Sequence, residues 1–126
     1  MKLVLGGYAQ GKCDYVKQKY NISEDEVCHG ETEDFECMPG KKVYDKLHLW
    51  LKRKMKQGND IPALVEIFLK ENTSCIVICD EVGNGIVPIA DDERIYREQV
   101  GRILCRIAEQ AESVERVICG IAQKIK

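Results

Sequence analysis

A chain of 126 residues, 44% of them apolar, can bury one core of ordinary size but not two, so a single domain over 1–126 is expected. Lys and Arg total 19 against 21 Asp and Glu, and a formal net charge of -2 gives neither nucleic acid nor a membrane surface an electrostatic hold. The opening Met1-Lys2-Leu3-Val4-Leu5 runs straight into glycines without a signal-peptide core, no stretch approaches the ~20 apolar residues of a membrane helix, and seven cysteines suit free thiols in a reducing cytoplasm better than a disulfide framework.

Lys2 to Leu5 reads as a short strand ending in Gly6-Gly7, and Cys13 to Tyr20 as a helix with Tyr15, Val16 and Tyr20 on one side. Asn21 to Pro39 is polar, with Val27-Cys28 the one short strand suggested. Seven acids and no Lys or Arg lie between Ser23 and Gly40, whereas Lys41 to Lys56 is strongly basic. A solvated loop beside a solvated helix face is the plain expectation, with a charge match between the two the alternative. From Lys41 to Gln57, Val43, Leu47, Trp50, Leu51 and Met55 recur at helical spacing, and His48 falls on that helix as a face residue beside Trp50. Asp60 is placed to cap a second helix, opened by Ile61-Pro62 and running to Lys70. Cys75-Ile76-Val77-Ile78-Cys79 is β-branched and unalternating, as a strand covered on both faces should be. Asp91 to Glu112 carries Tyr96, Val100, Ile103, Leu104, Ile107 and Ala111 on one face of a long helix, Val114 to Cys119 is a further buried strand, and Gly120 to Lys126 adds a terminal hairpin strand. The alternation predicts an α/β fold, a P-loop NTPase-like layered domain with a mostly parallel sheet. Cys75, Cys79 and Cys119 are expected as small buried thiols; Cys28-His29 and Cys37 alone hint at metal, at a spacing that matches no common zinc pattern.

Chemistry concentrates in two places. Gly6-Gly7-Tyr8-Ala9-Gln10-Gly11-Lys12-Cys13 fits the phosphate-loop pattern G-x-x-x-x-G-K except at its last position, where Ser or Thr is expected. Glycines let such a loop curl so that its N–H groups face phosphate oxygens, the following helix presents its positive end, and Lys12 supplies a point charge. Ile76 to Glu81 has the form of a strand delivering acids to the sheet edge beside that loop: Asp80 to hold Mg²⁺ through water, Glu81 to orient or deprotonate a nucleophile. Because a neutral thiol is a poor partner for a hard ion, Cys13 predicts weak Mg²⁺ binding, and the adjacent Lys12 and helix N-terminus predict a reactive thiolate.

Asp80-Glu81-Val82-Gly83-Asn84-Gly85-Ile86-Val87-Pro88, then Arg94, Tyr96-Arg97-Glu98, Gly101-Arg102, Ala108, Ala111, Val114 and the ending Gly120 to Lys126 resemble the C-terminal half of the bifunctional adenosylcobinamide kinase / adenosylcobinamide-phosphate guanylyltransferases, which read N-E-V-G-x-G-I-V-P, R-x-F-R-D, G-R-x-N-Q and G-x-x-x-x-x-K. The phosphate loop resembles that family's G-G-x-x-S-G-K-S, and Asp45 to Leu51 its D-C-L-T-L-W-L. The sequence departs from the pattern at Cys13, Asp80, Leu104, Lys46 and His48, and it lacks the H-x-x-x-R-P-x-x-W block that carries the guanylylated histidine; neither His29 nor His48 stands in that pattern. The resemblance implies a shortened, cytoplasmic member of a homo-oligomeric family in cobalamin biosynthesis. Such a member would bind GTP or ATP at Gly6 to Cys13 and would phosphorylate adenosylcobinamide, with Lys12 stabilising charge, Asp45 and Glu81 positioning the hydroxyl, and the guanylyltransferase half lost. The alternative is a catalytically weak nucleotide-binding protein that regulates or scaffolds corrinoid enzymes. The basic string Lys52 to Lys56 reads as a solvated helix face.

Overall fold

A computed structural model describes residues 1–82 and 90–126. In chain order the elements are β1 (Lys2–Gly6), α1 (Lys12–Tyr20), β2 (Val27–His29), β3 (Val43–Asp45), α2 (Leu47–Lys56), α3 (Ile61–Glu71), β4 (Ile76–Asp80), α4 (Asp91–Gln110), β5 (Ser113–Ile118) and β6 (Ile121–Lys124), with 3-10 turns at Glu24–Glu26 and Phe35–Cys37. The strands form one six-stranded sheet in the order β2-β3-β4-β1-β5-β6. Every pairing is parallel except the β5–β6 hairpin. Helical crossovers between parallel strands put helices on both faces of such a sheet and cover both sides of its central strands. Ile76, Val77, Ile78 and Cys79 of β4 are accordingly all buried, and their lack of alternation follows from that burial.

The two faces are unequal. Leu3, Tyr44, Val77, Cys79 and Val114 pack with Trp50 and Leu51 of α2, Val65 and Phe68 of α3, and Val100, Ile103 and Ile107 of α4. Opposite them Val4, Val43, Ile76, Ile78 and Val117 close around Val16 of the nine-residue α1. Asp60 caps α3 by accepting the N–H of Ala63 at 3.2 Å. No helix among the described residues is long and apolar enough to cross a membrane.

Residues 41 to 57 do not form one helix. Val43 and Tyr44, β-branched and aromatic, are taken as β3 between β2 and β4, where both are fully buried. The chain then turns through Lys46 at φ 58° before α2 begins. Periodicity alone cannot separate a three-residue strand from the first turn of the helix that follows it.

The acidic and basic stretches are matched to each other rather than separately solvated. Lys42 meets Glu26 at 2.5 Å, Lys46 meets Glu31 at 3.1 Å and Arg53 meets Asp34 at 2.9 Å. Lys54 is buried, paired to Glu36 and, at 3.2 Å, to Asp34. The basic string on α2 is therefore not a uniformly solvated face. Phe35, carried by the acidic segment, stacks on Trp50 with ring centroids 4.6 Å apart, and this apolar anchor brings the two charged stretches together. All seven cysteines are free thiols; Cys75 and Cys79 are buried, but Cys119, in the β5–β6 turn, is exposed.

Candidate active site

Parallel strands deliver their C-terminal ends to one edge, and here that edge gathers Gly6 of β1, His29 of β2, Asp45 of β3 and Asp80 of β4. A cleft of about 480 Å³ lies over it, lined by Tyr8 to Asp14 together with Glu31, Lys46, His48, Leu49 and Asp80. A wider cleft of about 540 Å³ opens at the opposite edge around Lys2, Tyr20, Lys41 and Asn72, far from the phosphate-loop residues.

The loop from Gly6 to Cys13 has the geometry its glycines predict at two positions. A Cβ on Gly6 would lie 2.6 Å from the Val117 carbonyl oxygen, so only glycine lets β1 leave the sheet there. Gly11 caps α1 at φ 83°, in the left-handed region that favours glycine. Gly7 meets nothing closer than 3.6 Å and is not required in the same way. Gln10 ties the loop to the β5–β6 turn, its carbonyl accepting the Gly120 N–H and its side-chain oxygen the Cys119 N–H, both at 2.8 Å.

Lys12 is buried and turned back onto the loop, its Nζ 2.7 Å from the Gly7 carbonyl and 2.7 Å from Asp80 Oδ1. The second oxygen of Asp80 faces His48 Nε2 at 3.4 Å, and the Asp80 backbone N–H donates to His48 Nδ1 at 3.3 Å. His48 is thus a buried part of the site rather than a residue of an exposed helix face, and burial holds its imidazole below the usual range. Glu81 is clamped from β5 by Arg116, whose Nε lies 2.8 Å from Oε1 and whose Nη2 donates to Oε2 at 3.0 Å. Its backbone N–H also donates to the Gly6 carbonyl at 2.9 Å. Asp45 is buried, which raises its carboxyl above the ordinary range against the opposing Lys46 N–H bond of 2.8 Å. His29 Nδ1 approaches Asp45 at 3.9 Å, while its Nε2 is 2.6 Å from Glu24.

Cys13 does not behave as its neighbours in sequence suggest. Burial, reinforced by the Asp45 carboxyl beside it, pushes the thiol up to about 12 against the opposing pull of Lys17. That shift favours the thiol over the thiolate expected from the sequence. Toward a hard divalent cation, Cys13 offers sulfur where oxygen is wanted, and Oδ1 of Asp80 is paired with Lys12. The Cys28-His29-Cys37 hint dissolves as well. Among the described residues the only three metal-ligand side chains within 4.8 Å of one another are Asp34, Glu36 and Cys37, and both acids already pair with Arg53 or Lys54.

The structure brings Lys12, Asp80, Cys13 and Asp45 to one edge, with Glu81 beside them. His48 and Arg116 were not foreseen. No residue type marks where β3 ends and α2 starts, so the sequence gives no sign that His48 points at the sheet. Arg116 did leave a sign: Glu115-Arg116 interrupts an otherwise apolar strand, and both find partners, Glu115 accepting Tyr15 OH and pairing with Lys19 at 3.3 Å. From Gly83 to Pro88 the glycine-rich string that follows Glu81 lies outside the described residues.

Among curated proteins nothing matches the chain. A family model described as cobinamide kinase / cobinamide phosphate guanyltransferase matches residues 35–125, a stretch that includes Asp45, His48, Asp80, Glu81 and Arg116 and begins after the phosphate loop.

Proposed function

The chain belongs to the cobinamide kinase / cobinamide phosphate guanyltransferase family of cobalamin biosynthesis, and from that premise we propose that it is a nucleoside-triphosphate-dependent kinase of adenosylcobinamide that has lost guanylyl transfer. The observation that carries the proposal is the approach of Lys12, on a Gly6–Gly11 loop at a helix N-terminus, to the strand-end acid Asp80 at 2.7 Å. GTP or ATP lays its phosphates over the loop N–H groups and the start of α1, and Lys12 leaves Asp80 for the outer phosphates. The corrinoid's side-arm hydroxyl attacks the γ-phosphorus, a new P–O bond forms as the bond to the β-phosphate oxygen breaks, and the nucleoside diphosphate departs. The hydroxyl proton goes to Asp45, whose carboxyl is raised by burial above the ordinary range; Glu81, held by Arg116, serves to position. Lys12 and the N–H groups meet the charge on the transferring phosphoryl group, and dependence on Mg²⁺ is weak.

A second reading keeps nucleotide binding and drops the chemistry, making the chain a regulatory or scaffolding partner of corrinoid enzymes. Cys13, a thiol where the phosphate-loop pattern expects a hydroxyl, and the missing histidine block favour it. Isothermal titration with GTP, ATP and cobinamide followed by a phosphate-transfer assay separates the two. Phosphorylated cobinamide is the expected product, and nucleotide binding without transfer would favour the scaffold. Radiolabelled GTP should leave no acid-labile label on the protein; a label mapped to His29 or His48 would return the guanylyltransferase half to the chain.

A further inference from the structure

The backbone of Lys46 is held from three sides. Asp45 Oδ1 accepts its N–H at 2.8 Å, its carbonyl accepts the N–H groups of Leu49 at 3.0 Å and Trp50 at 3.3 Å, and Gly30 packs so closely that a Cβ there would lie 2.3 Å from that carbonyl oxygen. Its φ of 58° is one that glycine or asparagine adopts with less strain than lysine. A long cationic side chain is thus launched from a fixed point in the wall of the cleft that the phosphate loop also lines. Lys46 Nζ donates to Glu31 Oε1 at 3.1 Å, and Glu31 belongs to the same wall. The two side chains are 40% and 45% exposed, so water competes for both and the pair is a weak one. The bond to Glu31, with Asp45 and Asp80 adding to it, holds the ammonium above its ordinary range and therefore charged at neutral pH.

Among the described residues that line the cleft, the lysines are Lys12 and Lys46. Lys12 follows β1 and Lys46 follows β3, with the β4 end between them, so the two approach the cleft from different sides. Phosphoryl transfer needs positive charge on the outer phosphates, and a divalent cation held by a loop hydroxyl ordinarily supplies part of it. Cys13 stands where that hydroxyl is expected, which leaves more of the charge to the chain's own cations. We propose that Lys46 is a second cation for the terminal phosphate of a nucleoside triphosphate, exchanging Glu31 for it on binding. The proposal rests on the nucleotide-binding reading above. A terminal phosphate concentrates more negative charge than one carboxylate and so competes for an ammonium that is loosely held. Glu31 is then an internal competitor of the nucleotide.

The test is isothermal titration of the full chain, in chelator, with ATP and GTP and with ADP and GDP. Lys46→Gln should weaken triphosphate binding about fivefold and diphosphate binding less than about twofold, a split that loosened packing would not produce. Lys46→Arg, which keeps the charge, should stay within about twofold of the unmodified protein for every nucleotide. Glu31→Gln, which releases Lys46, should strengthen triphosphate binding about twofold or more, and that gain should vanish when Lys46→Gln is added. Equal losses of tri- and diphosphate in Lys46→Gln, or no loss of either, overturn the role of Lys46 while leaving nucleotide binding intact. No triphosphate binding by the unmodified protein sinks the nucleotide reading and this one with it. Should Lys46→Gln fail to fold, Glu31→Gln decides: a gain confined to triphosphates supports the proposal, and its absence overturns it.

Discussion

Lys12 is shared between an acid and a carbonyl, and that geometry sets what its removal would do. Lys12→Ala loses a charge-assisted contact to phosphate of about 1.5 to 3 kcal/mol, so triphosphate affinity by titration should fall at least tenfold. It also leaves Asp80 with His48 as its remaining side-chain contact among those described, so a lowered melting temperature should accompany the loss. Cys13 makes a different forecast. With its thiol pushed up to about 12, it should react with iodoacetamide at pH 8 far more slowly than the exposed Cys37, Cys105 and Cys119, as peptide mapping would read. Cys13→Ser places a hard oxygen in the same position and should strengthen nucleotide binding in Mg²⁺ by several-fold without changing it in chelator. If the serine variant binds more weakly in both, the thiol itself has a positive role.

At the scale of elements, the phosphate loop is held by the strands around it. Gly6 leaves β1 under the Val117 carbonyl of β5, and Gln10 is tied to the turn that joins β5 to β6. Gly6→Ala must push β5 aside to relieve a contact of 2.6 Å, and should cost about 1 to 3 kcal/mol in urea unfolding together with the loop's phosphate affinity. Gly7→Ala meets only the Gln10 side chain at 3.6 Å and should change stability by no more than about 0.5 kcal/mol. Equal losses in the two variants would show that the approach of β5 does not govern the loop. The charge pairing of the 24–36 and 42–54 stretches works at this scale too, since Phe35 cannot reach Trp50 unless those charges lie side by side.

Across the whole molecule the cysteines couple stability to pH. Burial pushes Cys13 and Cys28 up to about 12 and Cys75 to about 11, each from 9.0. Below pH 9 both the folded and the unfolded chain keep these protons and the stabilisation is fully present. Between pH 9 and about 12 the unfolded chain releases them first, so the fold loses stability as pH rises. Urea midpoints should therefore drop more steeply between pH 9 and 11 than between pH 7 and 9, and Cys28→Ala should flatten the drop even though it lowers the midpoint at pH 7 through lost packing. An unchanged slope in that variant would remove Cys28 from the account.

Much of this architecture was legible because it depends on local rules. An unalternating β-branched run must be covered on both sides, so β4 and its terminal acids could be read directly; a G-x-x-x-x-G-K string between a strand and a helix has few other uses; and Asp60 before Ile61-Pro62 is a helix start wherever it occurs. The sequence by itself determined the class of fold, the glycine turn between β1 and α1 and the place of Asp80 beside it. Tertiary structure alone decided the rest, because each remaining fact turns on what stands opposite a residue. Val43 and Tyr44 become a strand only because β2 and β4 are there to pair with them, and His48 faces Asp80 only because that strand ends at Asp45 and sets the phase of α2. Cys13 has its thiol raised only because folding buries it against Asp45, a desolvation that no neighbour in the chain reveals.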